Sequence, residues 1–310
     1  MKQNNHFSGD SGNCRRFFLG IDGGGTKTTA LVGNADGNIV LQAVGKTINY
    51  CAVGMEKARE NMRLLLADIE EQTGINHFAG VFIGMSALFG RATEEETAAF
   101  CDGVFSADNI VMDSDLYIAL AATAEKGAAA VGICGTGSMT CGRTEDGKII
   151  TKGGFGYLLG DEGSGFRIAQ DGLFEAVRAA ENAGTPTALT QAALDFWKTQ
   201  NAAGLVDVFY DPPMERNEIA KFAPVVMQTA QQGDAVAMAV VSRQAALFAD
   251  TANALLRELP QGIPFYVYGG IFEHNPLFRQ LFAEHLDGNE VILLPNTPAQ
   301  GALLAAIGLQ

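Results

Sequence analysis

Apolar residues first gather at 17–22, again at 26–33 and again at 39–44, in short runs without helical spacing. Glycine, asparagine and aspartate fill the gaps. Short apolar runs bounded by turn formers predict strands. The segment "NADGN" at 34–38 predicts a hairpin turn, so the chain opens as an antiparallel meander of three strands. The pattern then changes period. Ala58, Met62, Leu65, Leu66 and Ile69 recur at helical spacing and predict an amphipathic helix near 54–72. Beyond it, 80–86 reads as a strand, 92–103 as a helix, 109–113 as a strand and 115–126 as a helix. A meander followed by alternating strands and helices predicts a mixed sheet with helices on it.

The same order then returns. Residues 128–154, "AAAVGICGTGSMTCGRTEDGKIITKGG", predict strand, glycine turn, strand, a turn at Asp146-Gly147, and strand. A largely helical region follows over 163–259. Its last helix carries Met238, Val241, Ala245, Phe248, Ala252 and Leu255 at spacings of three and four. Strand, helix, strand, helix complete the pattern at 264–270, 275–286, 290–295 and 297–309. Two halves opening alike predict a duplicated module, and a repeat of this size constrains the fold more than any single motif.

Length and charge narrow the functions. At 310 residues two domains are expected, and 47% hydrophobic with 18% charged residues is ordinary for a globular protein. Residues 1–16 begin polar and aperiodic and predict a flexible tail without the apolar core of a signal peptide. No apolar run reaches the roughly 20 residues of a membrane span. A net charge of −14 argues against nucleic acid as a partner. It also means that any phosphate site must be built locally, from backbone dipoles, a lysine or a metal ion. The five cysteines are scattered without a C-x-x-C, and the four histidines show no ligand spacing, so reduced thiols in the cytoplasm are expected. Trp197 falls in a helix and reads as core or interface.

Candidate chemistry sits in the turns. Asp22-Gly23-Gly24-Gly25-Thr26-Lys27 joins the first two strands, and Gly135-Thr136-Gly137-Ser138 joins the corresponding strands of the repeat. Either is a tight hairpin turn or an anion nest of consecutive N–H groups. Their matching positions favour the nest, with two turns holding the two ends of a triphosphate. Asp22, at a strand end, could hold Mg²⁺ through a bound water. Asp115 follows a strand and opens a helix. It reads as a base at the ligand-binding strand edge or as a helix N-cap, a task Ser114 or Asp113 could take instead. "GGFGYLLGDEGSGFRIA" at 153–169 reads as a packed surface loop capped by Asp161 or Ser164, or as a sugar site. Gly269-Gly270, between a strand and a helix, reads as a βα turn or as a backbone surface for adenine.

The segments "LGIDGGGTKT", "GTGS", "GGFGYLLGDEGSG" and "YGGIF", in this order, resemble the BadF/BadG/BcrA/BcrD ATPase-type family. Within it they resemble most the N-acetylglucosamine and glucosamine kinase branch, from about residue 17 to the C-terminus. The resemblance implies an α/β fold of the actin, Hsp70 and sugar-kinase type. Two ribonuclease-H-like domains with mixed five-stranded sheets would close over ATP and substrate, at 17–118 plus 297–310 and at 119–296 with a helical insertion. It implies that Asp22, Gly24, Thr26 and Lys27 form the first phosphate loop and Gly135, Thr136, Gly137 and Ser138 the second. Asp115 would be the catalytic base, and Gly269 and Gly270 would meet adenosine. Asn49, Thr136, Gly154, Phe155 and Asp161 would meet the sugar. The implied function is an ATP- and Mg²⁺-dependent kinase acting on a hydroxyl, the 6-OH, of an aminosugar.

Three positions depart from the family pattern. Ser114 replaces an Asn, Phe155 stands where animal enzymes have Trp, and Met139 follows GTGS where they have Asn. Glucosamine, N-acetylglucosamine and N-acetylmuramic acid all remain admissible acceptors. Two other readings share the fold. An activator ATPase of a radical dehydratase or reductase would need paired cluster cysteines, which Cys134 and Cys141 supply poorly. A non-catalytic sugar sensor would not need the acids that this chain retains. A homodimer through the helical second half is admissible.

Overall fold

A computed structural model of the chain describes residues 16–88 and 90–309. The expected tail falls outside them except for Arg16, as do His6 and Cys14. The described chain divides into two compact units, one running up to Ala122 and resuming at Asn296, the other spanning Thr123–Pro295.

The first unit opens with β1 (Phe17–Gly23), β2 (Lys27–Asn34) and β3 (Ile39–Lys46), each antiparallel to the next. A short helix α1 (Tyr50–Val53) and the long α2 (Met55–Thr73) follow. Then come β4 (Gly80–Met85), α3 (Glu94–Cys101), β5 (Ile110–Ser114) and α4 (Asp115–Ala121). The sheet order is β3-β2-β1-β4-β5, with β1, β4 and β5 parallel. Alternate residues of β1 feed two cores, as the strand period requires. Leu19 and Ile21 meet Met62, Leu65 and Ile69 of α2 on one face. Phe18 meets Ile118 of α4 and Leu303 on the other.

The second unit repeats the plan with β6 (Ala129–Cys134), β7 (Ser138–Arg143) and β8 (Ile149–Gly153), again an antiparallel meander. Six helices follow: α5 (Gly165–Ala180), α6 (Leu189–Trp197), α7 (Gly204–Tyr210), α8 (Arg216–Ala220), α9 (Ala223–Gln231) and α10 (Ala235–Leu256). The unit closes with β9 (Phe265–Tyr268), α11 (Gly270–His274), α12 (Pro276–His285) and β10 (Val291–Leu293). The order β10-β9-β6-β7-β8 is that of the first sheet read from the other end. In both modules the third and fourth strands are joined through helices: α1 and α2 in one, α5 to α10 in the other. Phe248 on α10 packs among Phe272 and Phe282 beneath the sheet, and Trp197 packs on Phe209 and Phe222. Among the described residues no helix is long and apolar enough to cross a membrane.

The last helix, α13 (Pro298–Ile307), returns to the first unit and lies against β1 and α4. The unit boundary therefore falls after α4, which is packed on this helix. Two short helices, α1 and α11, lie beyond the reach of apolar periodicity, because one turn has no period to read. Asn49 starts α1 by accepting from the Ala52 amide, and Gly54, at φ +83°, stops it.

Candidate active site

Parallel strands end at a common edge, and helices that begin there point their amide ends toward it. In the first unit, Gly23, Met85 and Ser114 share one register row across β1, β4 and β5. Asp22 precedes that row on β1, and Asp115 follows it as the first residue of α4. Two strand spacings separate their strands by about 10 Å. The end of β4 fills the gap with Ser86, whose amide and hydroxyl both donate to the Gly23 carbonyl. The Asn49 side-chain amide donates to the Ser86 hydroxyl at 3.0 Å. Asp22, Asn49, Ser86 and Asp115 thus gather on one edge of one sheet. Ser86 is absent from the sequence expectations. Its signal was only a serine at the end of a predicted strand, and its use depends on the register with β1.

The N-cap alternative for Asp115 is resolved by its neighbours. Ser114 Oγ accepts from the Tyr117 amide, and Asp113 Oδ1 accepts from the Ser114 amide and hydroxyl. The cap is therefore Ser114, braced by the buried Asp113. The Asp115 carboxylate has no side-chain hydrogen-bond partner among the described residues.

Electrostatics sets these acids apart. Burial raises the pKa of Asp115, with the Leu116 amide and its own amide pulling the other way. Asp22 is pushed from 3.8 up to about 6, first by burial and then by the charge of Asp115, with Lys27 opposing. A sparsely compensated pair of carboxylates at one edge is the setting a cation relieves. The unfolded chain ionises Asp22 near 3.8 and the folded chain near 6. Its ionisation therefore costs stability, a cost absent below the lower value and complete above the higher. Asp22→Asn is expected to stabilise the ligand-free protein at pH 7 by on the order of 2–3 kcal/mol, and to give no gain at pH 3.5. Urea melts at the two pH values check this, and equal shifts at both would refute the assigned cause.

The two glycine turns differ in how many amides they leave open. In the β1–β2 turn the amides of Gly24, Gly25 and Thr26 have no partner among the described residues, and the Gly24 carbonyl is held by Thr47 Oγ1 at 2.7 Å. Thr26 and Lys27 are exposed. In the β6–β7 turn the Gly135 amide donates to the Gly137 carbonyl, and the Ser138 amide to Asp161 Oδ1. The Ser138 hydroxyl donates to the Glu162 carbonyl. Thr136 and Gly137 alone keep unpartnered amides there, so the four-residue nest read from sequence shrinks to two N–H groups.

The loop after β8 is bonded to that same turn. The Gly165 and Phe166 amides, at the start of α5, donate to the Gly135 and Thr136 carbonyls. Ser164 caps α5, leaving Asp161 for another task. Asp161 is 3% exposed, sits at φ +64°, and accepts from the Ser138 amide and from Arg216 Nη1 at 3.1 Å. Phe155, Leu158 and Leu159 are 73–81% exposed, and Gly154 is exposed beside Met139. Gly269, at φ +101°, presses on β6: a Cβ there would lie 2.4 Å from the Cys134 carbonyl oxygen. This close approach accounts for Gly269 without an adenine, whereas Gly270 is exposed and opens α11. Cys134 and Cys141 are fully buried, and the Cys134 thiol donates to the Gly163 carbonyl.

A model of the BadF/BadG/BcrA/BcrD ATPase family matches residues 19–306. The chain belongs to this family. Two curated relatives are similar over nearly their whole length. The N-acetyl-D-glucosamine kinase of Dictyostelium discoideum is 26% identical over 313 residues, covering 94% of this chain and 98% of that protein. The N-acetylmuramic acid/N-acetylglucosamine kinase of Clostridium acetobutylicum is 26% identical over 303 residues, with coverage of 94% and 98%. A solved structure from Chromobacterium violaceum, described as a candidate N-acetylglucosamine kinase, superposes with a TM-score of 0.75 at 23% identity. It covers 94% of this chain and 99% of its own, and the likeness establishes the shared fold. The paired five-stranded sheets of this family member are the architecture its glycine-turn motifs imply.

Proposed function

We propose that this member of the ATPase family is an ATP-dependent kinase of an aminosugar, phosphorylating its 6-OH. One observation carries the reading: Asp115 stands at a strand-end edge beside Asp22, freed from capping by Ser114. The kinase names of the two relatives support it. In this reading the open amides of the β1–β2 turn and those of Thr136 and Gly137 donate to the nucleotide phosphates. Asn49, Gly154, Phe155 and Asp161 hold the sugar. Asp115 accepts the proton of the attacking hydroxyl as its oxygen bonds to the γ-phosphorus and the bond to ADP breaks. Positioning and preorganised charge supply most of the rate.

Mg²⁺ fits as the partner of the nucleotide. Such a cation needs only one or two protein carboxylates when phosphates supply the rest. Asp22 would provide one through a bound water, and among the described residues no trio of His, Cys, Asp or Glu would hold a metal alone. When bound, the ion neutralises charge on the phosphates.

The test is coupled ADP release across glucosamine, N-acetylglucosamine, N-acetylmuramic acid and plain hexoses, with the phosphorylated position read by NMR. Acetamido- or aminosugar-dependent release with a 6-phosphate product is the expected result. ATP turnover indifferent to every sugar would overturn the reading.

A further inference from the structure

Asp161 is the one acidic side chain of the glycine-rich loop that is almost wholly buried, and it is held from two sides within the second unit. Oδ1 takes the Ser138 amide at 3.2 Å, and Oδ2 takes Arg216 Nη1 at 3.1 Å. The carboxylate also fills the space beside Gly137, where a Cβ would lie 2.9 Å from Oδ2. Arg216 begins α8, in the run of helices inserted between β8 and β9. Its guanidinium lies 5.7 Å from the ring centroid of Tyr157, which itself stands edge-on to Phe166 at 5.2 Å. One arginine from the inserted helices therefore grips the loop at two points: a carboxylate by charge and an aromatic ring by its face.

We propose that Arg216 is a positioning residue for the sugar end of the reaction, acting through Asp161. This rests on the aminosugar kinase reading given above. A carboxylate has about four lone-pair sites. Two are taken, and the arginine turns the group so that the remaining ones can accept from a sugar hydroxyl. Asp161 itself sits at φ +64°, a backbone conformation that non-glycine residues rarely adopt. Arg216 reaches the nucleotide turn only through the Asp161 bond to the Ser138 amide. Gly135, Thr136 and Ser138 have bonds of their own to Gly165, Phe166 and Glu162, none of which involves Arg216. Loss of the arginine should therefore fall on the sugar and spare the nucleotide.

The variants are Arg216→Met, which keeps an apolar stem over Tyr157, and Arg216→Lys, which keeps the charge. Arg216→Met is expected to raise the KM for the best sugar of the screen at least tenfold, while the KM for ATP moves less than threefold. Arg216→Lys is expected to recover part of that loss. In an Asp161→Asn background Arg216→Met should add less than twofold, because the residue acts through that carboxylate. Equal rises in both KM values, or full additivity with Asp161→Asn, would overturn the proposal. Hydrogen exchange of the ligand-free protein gives a readout that needs no substrate. Faster exchange over 155–164 with little change over 135–137 is expected in Arg216→Met, and unchanged exchange over 155–164 would overturn it. A parent enzyme that phosphorylates no sugar would sink the kinase reading while leaving the exchange result to judge Arg216.

Discussion

Asp115→Asn is expected to lower sugar phosphorylation by about 10²–10⁴-fold, the usual contribution of a general base, in a protein that folds as well as the parent. The fold is spared because Asp115 does no capping: Ser114 and Asp113 bear that task. The substitution also removes a charge that raises the pKa of Asp22. Asp22 should then titrate lower, and the variant should melt no earlier than the parent near pH 7. The acid limb of kcat/KM in the parent belongs to the Asp22–Asp115 pair rather than to either alone, and burial places it above the ordinary carboxylate range. Single-turnover rates and a pH profile of Asp22 by NMR check these points together. Phosphorylation within a few-fold of the parent would remove Asp115 from the chemistry.

Gly301→Ala is expected to cost at least about 3 kcal/mol of stability, at or beyond the upper range for overpacking a core. A Cβ at Gly301 would lie 2.0 Å from the Ile118 carbonyl oxygen and 2.7 Å from the Ala122 amide nitrogen. Both atoms are backbone, so no side chain can swing aside. α13 would have to lift from α4, opening a core that holds Phe18, Phe82 and Leu303. Gly90→Ala, where a Cβ meets nothing within 4 Å, is the control and should change stability by less than about 0.5 kcal/mol. Urea unfolding of the two variants separates the cases, and equal midpoints would mean that α13 does not seat on α4 as described.

Every strand of both sheets was legible as a short apolar run between turn residues, whether buried on both faces like β4 or largely exposed at a sheet edge like β3. The duplicated meander accounts for three strands of each sheet, and the alternating strands after it for the other two. The predicted helices were found with shifted ends. The one expected over 115–126 stops at Ala121, and the one expected over 92–103 is held to Glu94–Cys101 by the capping box of Thr93 and Glu96. Asp22 and Asp115 stood out because each follows an apolar run, and a residue at a strand end in an α/β fold is near the ligand-binding edge by topology alone.

Other features needed the third dimension. That Ser86 bridges Gly23 and Asn49 depends on β4 lying beside β1. That Asp161 answers to Arg216 depends on where an inserted helix settles, which no local pattern encodes. The amides of the β6–β7 turn look alike in sequence, yet two are spent on contacts and two are open. The sequence by itself determined the elements, their order, the repeat and the acids at the strand ends. These follow from side-chain period and turn chemistry, which act between near neighbours. Only the tertiary structure decided which carboxylate is gripped and why Gly20 and Gly301 carry no side chain. A Cβ on Gly20 would fall 2.1 Å from the Leu303 amide nitrogen. Such close approaches join residues far apart in the chain, and excluded volume between them leaves no periodic trace.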